Sequence, residues 1–325
     1  MKKKILTTFF MTFFALSLVT GCKQNVGTPE DNAVVETEDT EEAQGYVFGY
    51  SCIDMDNDYF EALGRSMETV LDDAGTIIVK DADSDAALQE EQIQELIEME
   101  VDAVFLCPVD WKEITASLEA LKDAGIPVIN IDTQVKDIEL VDAYIGSNNR
   151  NAGIVCGEDL TDRLPDGGKI LIFECTDRNS IIERINGFEK EIANAGFEVL
   201  SRADGKGDKE TAKEMMAGFL AEFPEIDAVM CGNDTMALGV MEAVKEAGRE
   251  GVLIYGIDGS PDIKSAIAEG SVTATGAQSP INMGADAIEV ALAIINGEEY
   301  NNSIKENTFL INIENIELYG IDGWQ

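Results

Sequence analysis

The feature that most constrains the fold is a regular alternation, from Tyr46 onward, between short apolar runs and longer amphipathic stretches. Eight runs have the length and composition of buried strands: YVFGYS, TIIVKD, AVFLCP, PVINID, KILIFE, EVLSRAD, AVMCGN and VLIYGID. The stretches between them, such as EEQIQELIEME and SIIERINGFEKEIANAG, have the apolar spacing of helices with one buried face. Strands that alternate with such helices indicate βαβ units and parallel sheets.

One supersecondary unit occurs twice in the chain. Residues 101–132 and 226–258 both begin with Asp-Ala-Val in a strand, pass through a polar loop that contains an aspartate and a helix that closes on Ala-Gly, and end in a strand that finishes with Asp. Any two βαβ units share part of this pattern, but the matching openings and endings favour a true repeat. The sequence therefore predicts an α/β fold of two similar, doubly wound parallel-sheet lobes.

The first residues have the pattern of a secretory signal peptide. Three lysines, Lys2 to Lys4, precede an apolar run that is short for a membrane span and ends in SLVTGC. This ending resembles a lipobox, which implies cleavage after residue 21 and lipidation of Cys22. The alternative is an ordinary signal peptide followed by an incidental cysteine.

The next segment, residues 22–45, has many carboxylates and few large apolar side chains. Such a composition cannot bury enough surface to offset the entropy of the chain, so we expect a flexible linker between the lipid and the folded body. The protein is then expected to be extracytoplasmic and attached to the membrane by its lipid. About 280 residues remain, enough for one large domain or two smaller ones.

The charge and composition exclude several classes of protein. A formal charge of −40 argues against nucleic-acid binding, which requires Lys and Arg against phosphate, and favours a soluble monomer. The chain has no histidine, so the commonest general base and metal ligand is missing. No metal site and no cofactor are expected.

The cysteine and aspartate patterns do not indicate a metal site either. No two of the six cysteines have CxxC spacing, and the five beyond Cys22 are expected to be small apolar residues of strands and helices. DMDND (54–58) and DADSD (81–85) look like calcium loops, but neither has the Gly and Glu that an EF-hand needs at its positions 6 and 12.

Polar residues at the ends of the predicted strands are candidates for a binding site. In open α/β sheets, ligands bind beyond the carboxyl ends of the strands. The residues at these ends are Ser51, Cys107, Asp110, Asp132, Asn233, Asp234 and Asp258. They divide between the two repeats, so two facing lobes would place them around one cleft.

Eight short motifs in order resemble the sugar-binding group of the type I periplasmic binding proteins, the group of the ribose-binding protein. The motifs are NDYF (57–60), CPVDW (107–111), GIPVINID (125–132), IGSNN (145–149), ERINGF (183–188), GNDTMALG (232–239), GIDGSPD (256–262) and GAQSP (276–280). The resemblance covers nearly all of residues 46–320. It implies two lobes that are joined by a three-strand hinge and close over a sugar.

The resemblance also implies lobe limits. The chain would cross the hinge near Ser147, Gln278 and residue 307. Lobe 1 would hold residues 46–146 and 279–307, and lobe 2 would hold residues 147–278 and 308–325.

The resemblance assigns most of the candidate ligand contacts. Asp132 and Asp258 match two strand-end aspartates that accept hydrogen bonds from sugar hydroxyls. Asn233, Arg184 and Gln278 match an amide, a ligand-contacting arginine and a hinge glutamine. Two alternatives stay open: Asp258 caps a helix, or Arg184 forms a surface ion pair with Glu183 or Glu189. Asp234 is interpreted as the N-cap of the helix that follows it.

The NDYF motif adds Asn57 and an aromatic pair, Tyr59 and Phe60, whose faces can pack against a sugar ring. The alternative for the pair is simple core burial. Ser51, Cys107 and Asp110 complete the predicted set.

Three positions depart from the family pattern. Cys107 stands in place of an asparagine, Thr133 in place of an arginine, and Gly205 in place of an aromatic residue. These departures make ribose doubtful and favour a larger ring, a polyol or a furanose. Trp111 could supply replacement stacking or cap a helix start.

The function that best fits these features is an extracytoplasmic solute-binding lipoprotein that delivers a sugar-like ligand to an ABC importer. The alternative is a sugar sensor for a receptor kinase or chemoreceptor. A carboxylate-based glycoside-processing enzyme is a weaker rival, because Asp132 and Asp258 are expected on opposite lobes.

Overall fold

A computed structural model of the protein describes residues 45–325. The predicted signal peptide, Cys22 and almost all of the linker lie outside the described residues.

The strands in chain order are β1 (Tyr46–Cys52), β2 (Gly75–Asp81), β3 (Ala103–Leu106), β4 (Val128–Ile131), β5 (Ala143–Ser147), β6 (Lys169–Glu174), β7 (Glu198–Asp204), β8 (Ala228–Cys231), β9 (Leu253–Asp258), β10 (Ala274–Ala277), β11 (Ser303–Glu306) and β12 (Phe309–Asn312).

The α-helices are α1 (Asp58–Leu71), α2 (Ala86–Glu98), α3 (Thr115–Ala124), α4 (Asn149–Arg163), α5 (Asn179–Ile192), α6 (Lys209–Glu222), α7 (Asp234–Glu246), α8 (Pro261–Ala268), α9 (Pro280–Asn296) and α10 (Ile316–Tyr319).

Residues 45–325 form two six-stranded sheets, one in each lobe. The sheet of lobe 1 has the order β11-β5-β4-β3-β1-β2, and all its neighbours are parallel. The sheet of lobe 2 has the order β12-β10-β9-β8-β6-β7, and only its edge strand β12 is antiparallel. The predicted pair of doubly wound lobes is confirmed.

Both faces of each sheet are covered by helices. In β3, Val104 and Leu106 pack in the cluster that contains residues of α2 and α3, while Phe105 packs in the cluster that contains residues of α1 and α9. This two-sided burial explains why the strand sequences are continuously apolar, since alternate side chains point to opposite faces.

The chain passes between the two sheets three times, after β5, after β10 and between β11 and β12. Every parallel strand within a lobe ends at the same edge of its sheet, so the strand ends and the three crossings lie near one another.

No helix of residues 45–325 has both the length and the apolar character that crossing a bilayer would require. Within the same range, no three or more Cys, Asp or Glu side chains are grouped in a way that could hold a metal ion. The five cysteines of this range are free and buried, which agrees with their predicted packing role.

Candidate functional site

Two aspartates, one from each repeat, lie at the carboxyl ends of strands, one in each sheet. Asp132 directly follows β4, and Asp258 is the last residue of β9. Their backbones have positive φ angles of 58° and 145°, conformations that are uncommon outside glycine. Only 4% of Asp132 and 5% of Asp258 is exposed, so both carboxyl groups need polar partners.

Arg184 of α5 joins these two carboxylates across the lobes. Its Nη1 lies 3.2 Å from Asp258 Oδ1, and its Nη2 lies 4.0 Å from Asp132 Oδ1. Its Nε donates to Asn149 Oδ1 at 2.8 Å, and Nη1 donates to the Gly232 carbonyl at 2.9 Å. The guanidinium is thus held on several sides before any ligand enters.

The surface ion pair considered for Arg184 is absent from the described residues. Glu183 pairs instead with Arg150 at 3.6 Å, and Glu189 pairs with Arg202. Arg184 itself is buried, which places it in the cleft.

A cavity with about 20 Å³ of free space lies between the lobes around these three groups. Its lining residues are Asn57, Tyr59, Phe60, Asp132, Arg178, Ser180, Ile181, Arg184, Asn233, Asp258 and Gln278. The structure therefore brings eight of the predicted site residues together: Asn57, Tyr59, Phe60, Asp132, Arg184, Asn233, Asp258 and Gln278.

Ser51 and Cys107 do not line this cavity but lie behind it. The Ser51 hydroxyl accepts from Gln89 Nε2 at 3.1 Å. The Cys107 thiol donates to Asp132 Oδ2 at 3.6 Å, and burial raises its pKa. Cys107 therefore supports the carboxylate that faces the cavity.

Asp110 was predicted as a ligand contact but does not line the interlobe cavity. Its Oδ1 accepts from the backbone N–H groups of Lys112 at 2.8 Å and Glu113 at 3.3 Å. It lines a different cavity, with Ala86 and Ser117. Its short side chain is used to close the turn after β3, so it does not reach the interlobe cavity.

The N-cap of α7, which was predicted to be Asp234, is Asn233 in the structure. Asn233 is the N-cap of α7, since its Oδ1 accepts from Met236 N at 3.0 Å. Asp234 instead accepts from the backbone of Gly259 and Ser260, both at 2.8 Å, and from the Thr275 hydroxyl at 2.7 Å. The N-cap prediction for Asp234 was wrong, because its carboxylate fixes the loop after β9.

The loop after β9 also leaves the Asp258 carboxylate without a capping role. The N-cap of α8 is Ser260, whose hydroxyl accepts from Ile263 N at 3.2 Å. Asp258 is free of capping and accepts from Gln278 Nε2 at 2.6 Å. Burial, opposed by Arg184 and assisted by the charges of Asp234 and Asp132, raises the pKa of Asp258 to about 7.

Tyr59 and Phe60 line the cavity and are also part of the lobe 1 core. Their rings meet edge to face at 5.4 Å, and both side chains are almost fully buried. Trp324, from the C-terminal end of the chain, packs against Tyr59 with ring centroids 5.6 Å apart. The two predicted roles, ring packing and core burial, are therefore compatible.

Direct hydrogen bonds join the lobes at the mouth of the cavity. Trp111 donates its backbone N–H to the Asp177 carbonyl at 3.2 Å and its indole N–H to the Thr176 carbonyl at 3.4 Å. The Thr133 and Ser180 hydroxyls lie 2.9 Å apart. The lobes are closed on each other in this structure.

Two acceptor atoms of the cavity lack a hydrogen-bond partner among residues 45–325. They are Asp132 Oδ1 and Gln278 Oε1, both buried. Buried polar groups are nearly always hydrogen-bonded, so these oxygens are positioned for donors that the protein does not supply. A hydroxylated ligand would supply such donors.

Four cavity or mouth residues were absent from the predicted site: Arg178, Ser180, Ile181 and Trp324. Arg178 and Ser180 follow β6, and the strand-end rule indicates ligand contacts at such positions. Trp324 carries no such signal, because it reaches the site from the last turn of the chain.

Comparison with known proteins identifies a family for this chain. The family model described as "Periplasmic binding protein domain" matches residues 48–299. The ribose import binding protein of Bacillus subtilis is 30% identical over 261 residues, which cover 80% of this chain and 85% of that protein.

Solved structures of solute-binding proteins are also similar. One from Bacillus halodurans with bound myo-inositol has a TM-score of 0.80 at 28% identity and covers 86% of this chain and 99% of its own. The arabinose-binding component from Shewanella, bound to arabinofuranose, has a TM-score of 0.79 at 27% identity and covers 84% and 94%.

Proposed function

This chain belongs to the periplasmic binding protein family, and on that premise we propose that it captures a sugar or cyclitol between its lobes and delivers it to an ABC importer. The observation that carries the proposal is the pair of buried acceptors without a hydrogen-bond partner among residues 45–325, Asp132 Oδ1 and Gln278 Oε1, in the interlobe cavity. Ring hydroxyls would donate to both, while Tyr59 offers an aromatic wall.

The size of the cavity limits the ligand. The cavity has about 20 Å³ of free space in this closed state, far below the usual volume of small-molecule sites, so the lobes must separate to admit even a single ring. Among the relatives, one carries myo-inositol and others are named for ribose or carry arabinofuranose. These single rings define the first compounds to test.

We propose binding without turnover. Asp132 and Asp258 share the Arg184 guanidinium, and this shared ion pairing supports a role for both carboxylates as hydrogen-bond acceptors. Nuclear magnetic resonance of the ligand after prolonged incubation should show it unchanged; a chemically altered sugar would contradict this part of the proposal.

The lobes are proposed to move as two bodies with the limits 46–146 plus 279–307 and 147–278 plus 308–325. The three crossings after β5, after β10 and between β11 and β12 support these limits. Hinge closure of this kind is a common response to a ligand bound between domains.

The N-terminal pattern supports export and lipidation at Cys22. Expression of the full chain in a bacterial host should place it in the membrane fraction, and Cys22→Ala should release it or leave the precursor uncleaved. A Cys22→Ala protein that is processed and retained like the wild type would contradict lipid attachment.

The direct test of ligand binding is a thermal-shift screen with neutral monosaccharides, polyols and cyclitols. A ligand at about 100 times its dissociation constant stabilises the folded state by about 2.7 kcal/mol. For a protein of this size the melting temperature should rise by roughly 5 to 10 °C. A flat response to the whole panel would contradict sugar binding.

A further inference from the structure

Arg178 is the second guanidinium of the cavity and differs from Arg184 in its surroundings. It lies in the loop between β6 and α5, lines the cavity and is only 9% exposed. Within residues 45–325 its guanidinium makes neither an ion pair nor a hydrogen bond. Arg184, in contrast, contacts Asp258, Asp132, Asn149 and the Gly232 carbonyl.

Packing fixes the place of the Arg178 guanidinium. Gly207, in the turn between β7 and α6, lies directly against it, and a Cβ atom at Gly207 would stand 2.4 Å from Arg178 Nη1. The nearby carboxylate of Asp208 is already used as the N-cap of α6, where it accepts from Thr211 N at 2.7 Å. The donors of Arg178 therefore remain for a molecule in the cavity.

Arg184 already pairs with both carboxylates of the cavity lining, Asp132 and Asp258, whereas Arg178 has no ion pair with either of them. Because a buried guanidinium without acceptors is costly, a ligand in the cavity is expected to accept hydrogen bonds from Arg178.

We propose that Arg178 is a specificity-determining ligand contact, whose planar fork of N–H donors binds two adjacent oxygens of the ligand. A guanidinium can donate two parallel hydrogen bonds to a pair of oxygens, which a lysine or an amide cannot reproduce. This inference rests on the proposed function and adds a contact residue to it.

The same ligand satisfies the other unpartnered groups. Its hydroxyls donate to Asp132 Oδ1 and Gln278 Oε1, while its oxygens accept from Arg178. A ring hydroxyl both donates and accepts, so a polyhydroxylated ring can serve all three positions at once.

The test is titration calorimetry of the protein with matched sugars that differ in charge. Galactose, galacturonate and galactosamine form one set; glucose, glucuronate and glucosamine form a second; ribose, arabinose and myo-inositol extend the neutral class. We expect the amino sugar of each set to bind most weakly, because its ammonium group would lie near the Arg178 guanidinium. Tightest binding of the amino sugar would overturn the proposal.

Arg178→Met separates a ligand contact from a structural role. The variant should bind the best neutral compound 30- to 100-fold more weakly than the wild type does. The ratio of its affinity for the amino sugar to its affinity for the neutral sugar should be at least tenfold higher than in the wild type. An equal loss for neutral, acidic and basic sugars would indicate a structural role and overturn the assignment.

Arg202→Met is the matched control. Arg202 lies in the same lobe, is half-exposed and pairs with Glu174 and Glu189 outside the cavity, so its loss should leave all affinities unchanged. Unaltered neutral-sugar binding by Arg178→Met would overturn this inference and leave the proposed function intact. Failure of the wild type to bind any neutral compound would overturn both.

Discussion

Asp132 and Asp258 occupy the same position in the two repeats but have different environments. Both are buried at strand ends with positive φ angles, and both face Arg184. Asp258 Oδ1 is held by Gln278 and by Arg184 at 3.2 Å, whereas Asp132 Oδ1 lies 4.0 Å from Arg184 and has no hydrogen-bond partner among the described residues.

The difference arises from the residues behind each aspartate. Asp132 Oδ2 is supported by the Thr133 hydroxyl at 3.0 Å and the Cys107 thiol at 3.6 Å, both weakly polar groups of lobe 1. Asp258 lies beside a second buried carboxylate, Asp234, whose charge contributes to the raised pKa of Asp258. The repeat thus places two carboxylates alike, but their neighbours differ: Asp258 Oδ1 is hydrogen-bonded within the protein, and Asp132 Oδ1 has no partner among residues 45–325.

The largest expected effect concerns Asp234, whose counterpart in the loop of the first repeat, Asp110, accepts only from the backbone of its own turn. Asp234→Ala removes the acceptor for the Gly259 and Ser260 N–H groups and the Thr275 hydroxyl, and should lower the free energy of unfolding by about 3 to 5 kcal/mol. Urea unfolding followed by circular dichroism measures this change.

Asp234→Asn is the control for that effect, since an amide oxygen still accepts from part of the network. It should lose less than half as much stability as Asp234→Ala. Equal stability of Asp234→Ala and the wild type would show that the Asp234 carboxylate does not stabilise the loop after β9.

The second effect compares the two strand-end aspartates directly in ligand binding. Asp132→Asn should weaken the affinity for the best sugar by on the order of 100-fold, because hydrogen bonds to ionised groups are the stronger ones. Asp258→Asn should weaken it by about tenfold, since its near oxygen is already bonded within the protein. Calorimetry gives both values, and a larger loss for Asp258→Asn would reverse the assignment.

The third effect is a pH dependence to which Asp258 should contribute. Burial raises its pKa from the ordinary 3.8 to about 7, so the closed state binds a proton more tightly than the unfolded chain does. The resulting stabilisation is complete below pH 3.8 and is lost as the pH rises through about 7. Between pH 5 and pH 8 the difference should be roughly 2 kcal/mol.

Thermal melts of the ligand-free protein measure this dependence. Asp258→Asn should reduce the change between pH 5 and pH 8 and leave the part due to Asp286, whose pKa burial raises to about 6. A wild-type profile that Asp258→Asn leaves unchanged would contradict the raised pKa.

The smallest effect concerns the mouth of the cavity, where Trp111 joins lobe 1 to lobe 2. Trp111→Phe removes the indole donor to the Thr176 carbonyl and keeps an aromatic ring, so ligand affinity should fall by about 3- to 10-fold through a less favourable closure. Stopped-flow kinetics should show a faster release. An unchanged release rate would show that this bond does not hold the lobes together.

The strand and helix pattern predicted most of the fold because its signals are local. Eight apolar runs correspond to β1–β4 and β6–β9, and Gly125 ends α3 in the left-handed conformation, with φ 74°, as expected. The remaining strands, β5 and β10–β12, lie along the hinge side of the sheets. β5, β10 and β11 contain glycine or charged residues and lack the continuous apolar run that marks the equally short β3 and β8.

The site was predictable only where position along a strand decides the role. Asp132, Asp258 and Arg184 converge as the strand-end rule and the resemblance indicated. Which of Asn233 and Asp234 caps α7 depends on a tertiary contact, because the Asp234 carboxylate accepts from the loop at Gly259 and Asn233 is left to cap the helix. The approach of Trp324 to Tyr59 depends on the path of the last residues and leaves no mark in the sequence.

The measurement that tests the central claim most directly is a tryptophan fluorescence titration of the full chain with the best neutral ligand. The protein has two tryptophans, and Trp111 and Trp324 both lie where the cavity is closed. The account predicts a saturable change in emission at the dissociation constant that calorimetry gives, lost in Asp132→Asn. Calorimetric binding without any change in fluorescence, or equal binding by Asp132→Asn, would contradict capture of the ligand between closing lobes.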